Sequence, residues 1–344
     1  MDKLKVDKKG YVTFYAAAEY NGKLYIADRD NRGLLEYDLA TRETIIKNVF
    51  MAENYMNNYW SAFTYKNEIW FVPVRDYEQF AIYKPQNNSI EYMAFPKSEH
   101  MCEYMPFVDS YVVENIAYLI PAFYDCILCI DLISRTSERI DIGVGKYSEL
   151  GYSIYKSSCR DGDKIYLCPF NNSEFKCFDI RTHKVENIQL QIQAKVYSGI
   201  FVIDGVFYLV PEKISNGITR YIIAENREEK IYPEDVNMCS TALYECCFLM
   251  NKTIYGLPKN SNYMYIFNSK KGFIEIKQFS EKDRMLSFYK ARVEDENKCL
   301  VVSETESTPC LLWNKDDYEI IDLNLKSDYF IKEILMEIER RNRK

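Results

Sequence analysis

The chain has 344 residues, 47% of them hydrophobic and 15% aromatic, with 30 tyrosines and a formal net charge of −7. That apolar share is ample for a packed interior, and the acidic balance argues against nucleic acid as a partner, because phosphate binding needs clustered Lys and Arg. No stretch approaches the length of a membrane span, so no membrane partner is expected.

In chain order, the first ten residues lack the apolar segment of a secretory signal. With eleven cysteines placed mainly in strand-like runs, this predicts buried free thiols in a bacterial-type cytoplasm. Lys3-Leu4-Lys5-Val6 is a candidate edge strand. From residue 11 one pattern then returns seven times, anchored on Tyr25, Trp70, Tyr118, Tyr166, Tyr208, Tyr255 and Leu300 at gaps of 45, 48, 48, 42, 47 and 45 residues. Eleven residues before each anchor stands an aromatic: Phe14, Tyr59, Phe107, Tyr155, Tyr197, Tyr244 and Tyr289. Nine before it stand Ala16, Ser61, Asp109, Ser157, Gly199, Cys246 and Ala291, small in every copy but the third. Seven before it stand Ala18, Phe63, Tyr111, Cys159, Phe201, Phe248 and Val293. Spacings of two describe one face of a β-strand.

The anchors lie in nearly continuous apolar runs, as suits a strand covered on both faces. Three residues later come Pro73, Pro121, Pro169, Pro211 and Pro258. Proline has no N–H for the ladder and belongs at a strand's end. A third apolar position holds Tyr37, Tyr83, Ile130, Phe178, Tyr221, Phe267 and Trp313, usually followed by Asp or Asn, which close tight turns. A fourth strand-like run follows, so each copy supplies four antiparallel strands, a to d. A period of this size with β-type residues signals radial repetition of sheets. Residues 11–325 resemble a seven-bladed β-propeller, nearest in style to the Kelch-like propellers, although the glycine doublet of that family is absent. The blades are expected at about 11–48, 58–96, 106–143, 152–191, 196–232, 241–279 and 286–325, within a propeller unit of 1–326. After it, residues 327–344 carry Phe330, Ile331, Ile334, Leu335 and Ile338 at helical spacing. They predict a short amphipathic C-terminal helix that either covers the propeller or makes a homodimer.

In such an architecture the d–a and b–c loops emerge on one face around the axis, and that face is the expected binding surface. Candidate ligand-binding residues there are Arg29 and Arg75 in b–c loops, with Tyr55, Asn57, His100, Glu103, Tyr104, Tyr152 and Lys195 in d–a segments. Their chemistry suits a protein or a carbohydrate-like ligand. His100 lies between Glu99 and Cys102 and is the one candidate for acid–base or nucleophile-activating work, while His183 reads as a solvated turn residue. No catalytic set is assigned and no cofactor is expected. Cys126 and Cys129 have the spacing of a zinc half-site but lie on a predicted strand without a second pair. Two histidines exclude a His-rich metal site, and oxygen donors such as Glu53, Glu103, Glu149 and Asp235 lack calcium-loop spacing. The leading expectation is therefore a ligand- or protein-binding module. The alternatives are a hydrolase, lyase or epimerase acting on a sugar or sugar acid at the channel mouth, and an assembly scaffold organised by the tail.

Overall fold

The computed structural model describes residues 14–28, 33–50, 59–75, 79–96, 105–143, 154–170, 175–188, 197–234, 242–280, 286–295, 297–303, 308–315, 317–321 and 323, with 336 and 340 in the tail. Within them the chain forms seven four-stranded antiparallel sheets. Blade 1 holds β1 (Phe14–Tyr20), β2 (Lys23–Asp28), β3 (Gly33–Asp38) and β4 (Thr44–Val49). Blade 2 holds β5 (Tyr59–Tyr65), β6 (Glu68–Pro73), β7 (Gln79–Lys84) and β8 (Ser89–Ala94). Blade 3 holds β9 (Phe107–Val113), β10 (Ile116–Pro121), β11 (Cys126–Asp131) and β12 (Thr136–Asp141). Blade 4 holds β13 (Tyr155–Asp161), β14 (Lys164–Pro169), β15 (Phe175–Asp179) and β16 (Lys184–Ile188). Blade 5 holds β17 (Tyr197–Ile203), β18 (Val206–Pro211), β19 (Ile218–Ile222) and β20 (Arg227–Ile231). Blade 6 holds β21 (Cys246–Met250), β22 (Thr253–Leu257), β23 (Tyr263–Asn268) and β24 (Phe273–Gln278). Blade 7 holds β25 (Phe288–Asp295), β26 (Lys298–Ser303), β27 (Cys310–Asn314) and β28 (Asp317–Ile321).

Local chemistry explains these hairpins. Asn21 and Gly22 between β1 and β2 take φ of 53° and 74°, and Asp204 and Gly205 between β17 and β18 take 53° and 75°. Two successive left-handed residues make the turn whose twist matches that of the strands it joins. On the third turn of the blade, Asp38 Oδ1 accepts from the N–H groups of Ala40 and Thr41 at 2.9 and 3.0 Å. Asp131, Asp179 and Asn268 repeat this with their own turn N–H groups. Those backbone N–H bonds hold the Asp38, Asp131 and Asp179 carboxyls below their ordinary range.

Between the blades lie seven apolar clusters, one per seam. The seam of blades 2 and 3 joins Trp70, Phe80, Phe95, Phe107 and Tyr124, with Phe80 and Phe95 stacked at 5.1 Å. The seam of blades 6 and 7 centres on the fully buried Trp313, whose ring meets those of Phe248, Tyr255, Phe279 and Tyr318 at 5.2 to 6.1 Å. Burying an aromatic of this kind contributes about 1.5–3 kcal/mol. Space is tight enough that a Cβ added at Gly256 in β22 would lie 1.8 Å from the Tyr265 ring. The cysteines at 126 and 129 face different seams, the first packing between blades 2 and 3 and the second between blades 3 and 4. Burial pushes both thiols up to about 12, which suits small core side chains.

Each blade is built from one contiguous stretch, so the first and last blades meet through side chains rather than by exchanging a strand among the described residues. Leu24, Ile26 and Leu35 pack against Leu300, Leu312 and Ile321 there. Lys298 pairs with Glu19 at 3.0 Å and Arg42 with Glu319 at 2.9 Å across the same seam. The candidate edge strand at 3–6 lies outside the described residues. So does nearly all of the predicted tail helix, of which only Met336 and Arg340 are described, both exposed and helical; the helix is no part of the architecture established here.

One expectation needs correction. In blade 7 the aromatic paired with the strand-end position is Phe288, opposite Ser303, and not Tyr289. Leu300 pairs with Arg292 and Val302 with Lys290, instead of Val293 and Ala291. A second bulge between Val293 and Asp295 adds one residue to β25 and slides its start by one.

Candidate functional site

Six of the seven innermost strands begin with the same irregularity. The first aromatic pairs with the end of the neighbouring strand, the next residue is skipped, and pairing resumes, as in Tyr59 with Pro73 and Ser61 with Val72. A bulge of this type leaves one residue out of the ladder and re-aims its side chain. The residues skipped by these six bulges are Tyr15, Trp60, Val108, Lys156, Ser198 and Tyr289, and Glu245 holds the same repeat position just ahead of β21, whose pairing is regular. They stand near the proline end of each blade, where the b–c and d–a loops emerge, and so ring the mouth of the axial channel.

Innermost strands of all seven blades line that channel, which encloses a cavity of about 420 Å³. Tyr15, Ser61, Ser157, Phe201 and Cys247 contribute to its wall, as do Asp109 and Lys290. Asp109 and Lys290 break the small-residue rule of their register position. Asp109 Oδ2 accepts from both the N–H and the hydroxyl of Ser158, each at 2.8 Å, and the Tyr111 hydroxyl donates to Ser158 Oγ at 3.0 Å. This chain ties β9 to β13, and burial holds the Tyr111 hydroxyl well above its ordinary value. Lys290 reaches from blade 7 to blade 3, where its Nζ donates to the Val108 carbonyl at 2.6 Å. On the way it passes the Trp60 ring, 5.9 Å from its centroid. Trp60 in turn packs on Tyr15 with centroids 5.1 Å apart.

On the other side of the mouth four charges join blades 4, 5 and 6. Lys156 Nζ lies 3.2 Å from Glu212 Oε1 and 3.1 Å from Glu245 Oε1, and Lys259 Nζ lies 3.0 Å from Glu245 Oε2. Burial alone would raise the Glu245 carboxyl, but the ammonium groups of Lys156 and Lys259 outweigh it and hold it below its ordinary value. Lys156 also sits 5.1 Å from the Phe170 ring centroid. Deeper in, Cys247 Sγ lies 3.2 Å from the Tyr265 hydroxyl and 3.6 Å from Ser198 Oγ. Burial raises this thiol, so it is a poor thiolate source. Among the described residues no group of three or more His, Cys, Asp or Glu side chains could hold a metal ion.

Of the candidates named from sequence, Arg75 is described: it follows β6 by two residues and is half-buried on the loop face. Arg29, Tyr55, Asn57, His100, Glu103, Tyr104, Tyr152 and Lys195 lie outside the described residues, as do Glu53, Glu149 and Asp235. His183 is in the turn between β15 and β16 with φ of 55°, its Nδ1 3.8 Å from Glu138 and its ring beside Tyr118 and Phe178. Sequence reasoning passed over Trp60, Lys156, Glu245 and Lys290. The signal that could have found the first three is the residue after each repeat aromatic, which never settles on one chemistry; Lys290 stands one further on, at the small-residue position of blade 7.

No protein-family model matches the chain, and no curated protein matches it in sequence. Among solved structures it is similar to YCF48 bound to D1 peptide, with a TM-score of 0.64 at 11% identity over 92% of this chain and 97% of that one. It is also similar to catalytically inactive virginiamycin B lyase from Staphylococcus aureus with quinupristin, with a TM-score of 0.61 at 10% identity over 91% and 98%. A chain of the mitotic checkpoint complex gives 0.61 at 9% identity over 92% and 96%. At such identities the likeness shows the fold alone: a seven-bladed β-propeller.

Proposed function

We propose that this propeller is a binding module which receives a segment of another protein at its b–c/d–a face, where the segment enters the axial channel past Tyr15, Trp60, Lys156 and Glu245. One observation carries the reading. The aromatic and, in most blades, the small residue and the proline recur around the ring, whereas the residue after the aromatic is Tyr15, Trp60, Val108, Lys156, Ser198, Glu245 or Tyr289. A position whose backbone role is constant while its chemistry changes from blade to blade is not specified by the fold. Tyr and Trp beside fixed charge pairs are what anchor and orient a protein ligand. Structural neighbours that hold a peptide or sit in a protein assembly support such a use of the architecture.

The tilted pair of Tyr15 and Trp60 would also suit a sugar ring. The charge network of Lys156, Glu212, Glu245 and Lys259 favours a peptide, whose termini and side chains supply complementary charge. Nine cysteines among the described residues are free thiols, which supports a reducing compartment such as the cytoplasm. The homodimer through the tail rests on residues outside the described set and has no part in this reading.

Site-specific photo-crosslinking tests it. A benzophenone amino acid at position 15 should capture a partner in cells that the same group at position 66, in the a–b turn of blade 2, does not. Identical captures from both positions, or capture from position 66 alone, would refute the choice of face.

A further inference from the structure

The c–d turns repeat from blade to blade with one exception. In blades 1 to 6 they hold four residues between the closing pair, and the last of the four is left-handed: Arg42, Asn88, Arg135, His183, Asn226 and Gly272, with φ from 45° to 73°. Blade 7 closes with Asn314 opposite Asp317, which leaves two. The position it lacks is one that fastens a blade to its predecessor. Arg42 pairs with Glu319 of blade 7 at 2.9 Å, and Arg135 grips Glu68 of blade 2 over the Trp70 ring. His183 stands beside Tyr118 of blade 3, with Glu138 3.8 Å away.

Where such a residue of blade 7 would lie against blade 6 there is a cavity of about 250 Å³. Tyr255, Ile266, Phe273 and Glu275 line it, and no described residue of blade 7 does. Its parts match those of the filled seams. Tyr255, Ile266 and Glu275 stand opposite one another on three strands, as Trp70, Ile82 and Glu91 do in blade 2 and Tyr118, Cys129 and Glu138 in blade 3. Phe248 stacks on Tyr255 at 5.2 Å, as Phe63 stacks on Trp70 at 5.8 Å. In blade 2 the guanidinium of Arg135 lies 4.4 Å from the Trp70 centroid; in blade 6 the Tyr255 ring borders the cavity instead. Glu275 is half-exposed, and Lys277 lies 3.7 Å from one of its oxygens. A lysine on the home blade does not keep a guanidinium out, since Lys84 lies 3.9 Å from the same Glu68 that Arg135 grips. Lys271, the other cation of the rim, lies against the Phe273 ring at 5.8 Å. The volume is below the roughly 300–1,000 Å³ of ordinary small-molecule sites, and suits one side chain.

We propose that this pocket on blade 6, beside the short turn of blade 7, receives an arginine side chain of a partner protein, with its guanidinium against Tyr255 and bonded to Glu275. Arginine is planar, stays charged and stacks on an aromatic face while it bonds a carboxylate, a combination that a lysine ammonium does not offer. The molecule's own repeats name the occupant: three other seams hold a basic side chain from the next blade at this place, two of them arginine. The pocket lies at the end of the molecule opposite the mouth, and the proposal does not depend on the reading given for the mouth.

Equilibrium dialysis of the full chain against pools of N-acetyl tetrapeptide amides tests it, the pools carrying one Arg, one Lys, one Glu or no charged residue. The Arg pool should be retained about fivefold or more above the uncharged pool, and the Lys pool less. Glu275→Gln, a change on the half-exposed rim, should remove that preference, whereas Glu319→Gln, where Arg42 already sits, should leave it intact. Replacing residues 315–316 with the four-residue turn Leu132–Arg135 of blade 3 should fill the pocket from within and abolish retention as well. Should that variant fold poorly, the contrast between Glu275→Gln and Glu319→Gln decides alone. Equal retention of the Arg and uncharged pools, stronger retention of the Glu pool, or a preference that survives Glu275→Gln overturns the proposal. So does a preference that emerges only in the triple variant Arg340→Gln, Arg341→Gln, Arg343→Gln, which would make the chain's own tail the occupant.

Discussion

The two ends of the channel are built on different principles. At the end formed by the a–b and c–d turns, neighbouring blades are tied by bonds that stay on the rim. Tyr20 donates to Asn67 and Tyr65 to Asn115, Lys252 pairs with Asp204, and Arg135 reaches over the Trp70 ring to both oxygens of Glu68. Turn geometry there repeats blade after blade. At the other end the backbone repeats but the side chains do not: a charge network joins blades 4, 5 and 6 alone, and Lys290 crosses the opening from blade 7 to blade 3. Internal repetition thus serves as a control: what every blade needs recurs, and what a ligand needs does not.

The difference can be broken first at a seam. Trp313→Ala empties a fully buried site between blades 6 and 7 and should cost about 3–5 kcal/mol in denaturant unfolding. Its midpoint should fall far more than that of any single mouth variant. At the rim, Arg135→Ala removes a forked bond to a mostly buried carboxylate and the cation above Trp70. Its cost should be about 1.5–3 kcal/mol, with capture through position 15 unchanged. At the mouth, Glu245→Gln should show its effect mainly in pH dependence. Because the folded carboxyl lies below its ordinary value, its stabilisation is present above the usual carboxylate range and is lost as pH falls through the folded value. Unfolding midpoints compared at pH 7 and pH 3.5 should therefore differ less in the variant than in the parent; an equal difference would mean that the network contributes nothing to folding.

The architecture was legible because the residues that build it are the ones that recur. The anchors, the c-strand aromatics and the turn-closing Asp and Asn all occupy the places that their chemistry predicts, for instance Tyr118 in β10 and Asp131 closing blade 3. Blade 7 was misread by one residue because a bulge leaves no mark in the hydrophobic pattern: Tyr289 follows Phe288, and either could be the repeat aromatic. That slip also hid Lys290 behind Ala291. The loop candidates lie, Arg75 apart, outside the described residues, and the strand residues at the mouth carry no loop signal in the sequence. Lys156 reads as the solvated half of an alternating strand, and only the bulge turns it to the mouth, while Glu245 stands just ahead of β21 with no hydrophobic pattern to mark it.

The central claim is that a side chain departing from the repeat is not needed by the ring, and Lys290 is its sharpest case. Thermal unfolding of Lys290→Ser, which restores the small residue found at that register in blades 2 and 4, tests it directly. The midpoint should hold or rise, since the fold regains the side chain it uses elsewhere. A fall of about 2 °C or more, roughly 1 kcal/mol or above for a chain of this length, would show that the bond to Val108 is a strut of the propeller and contradict the account.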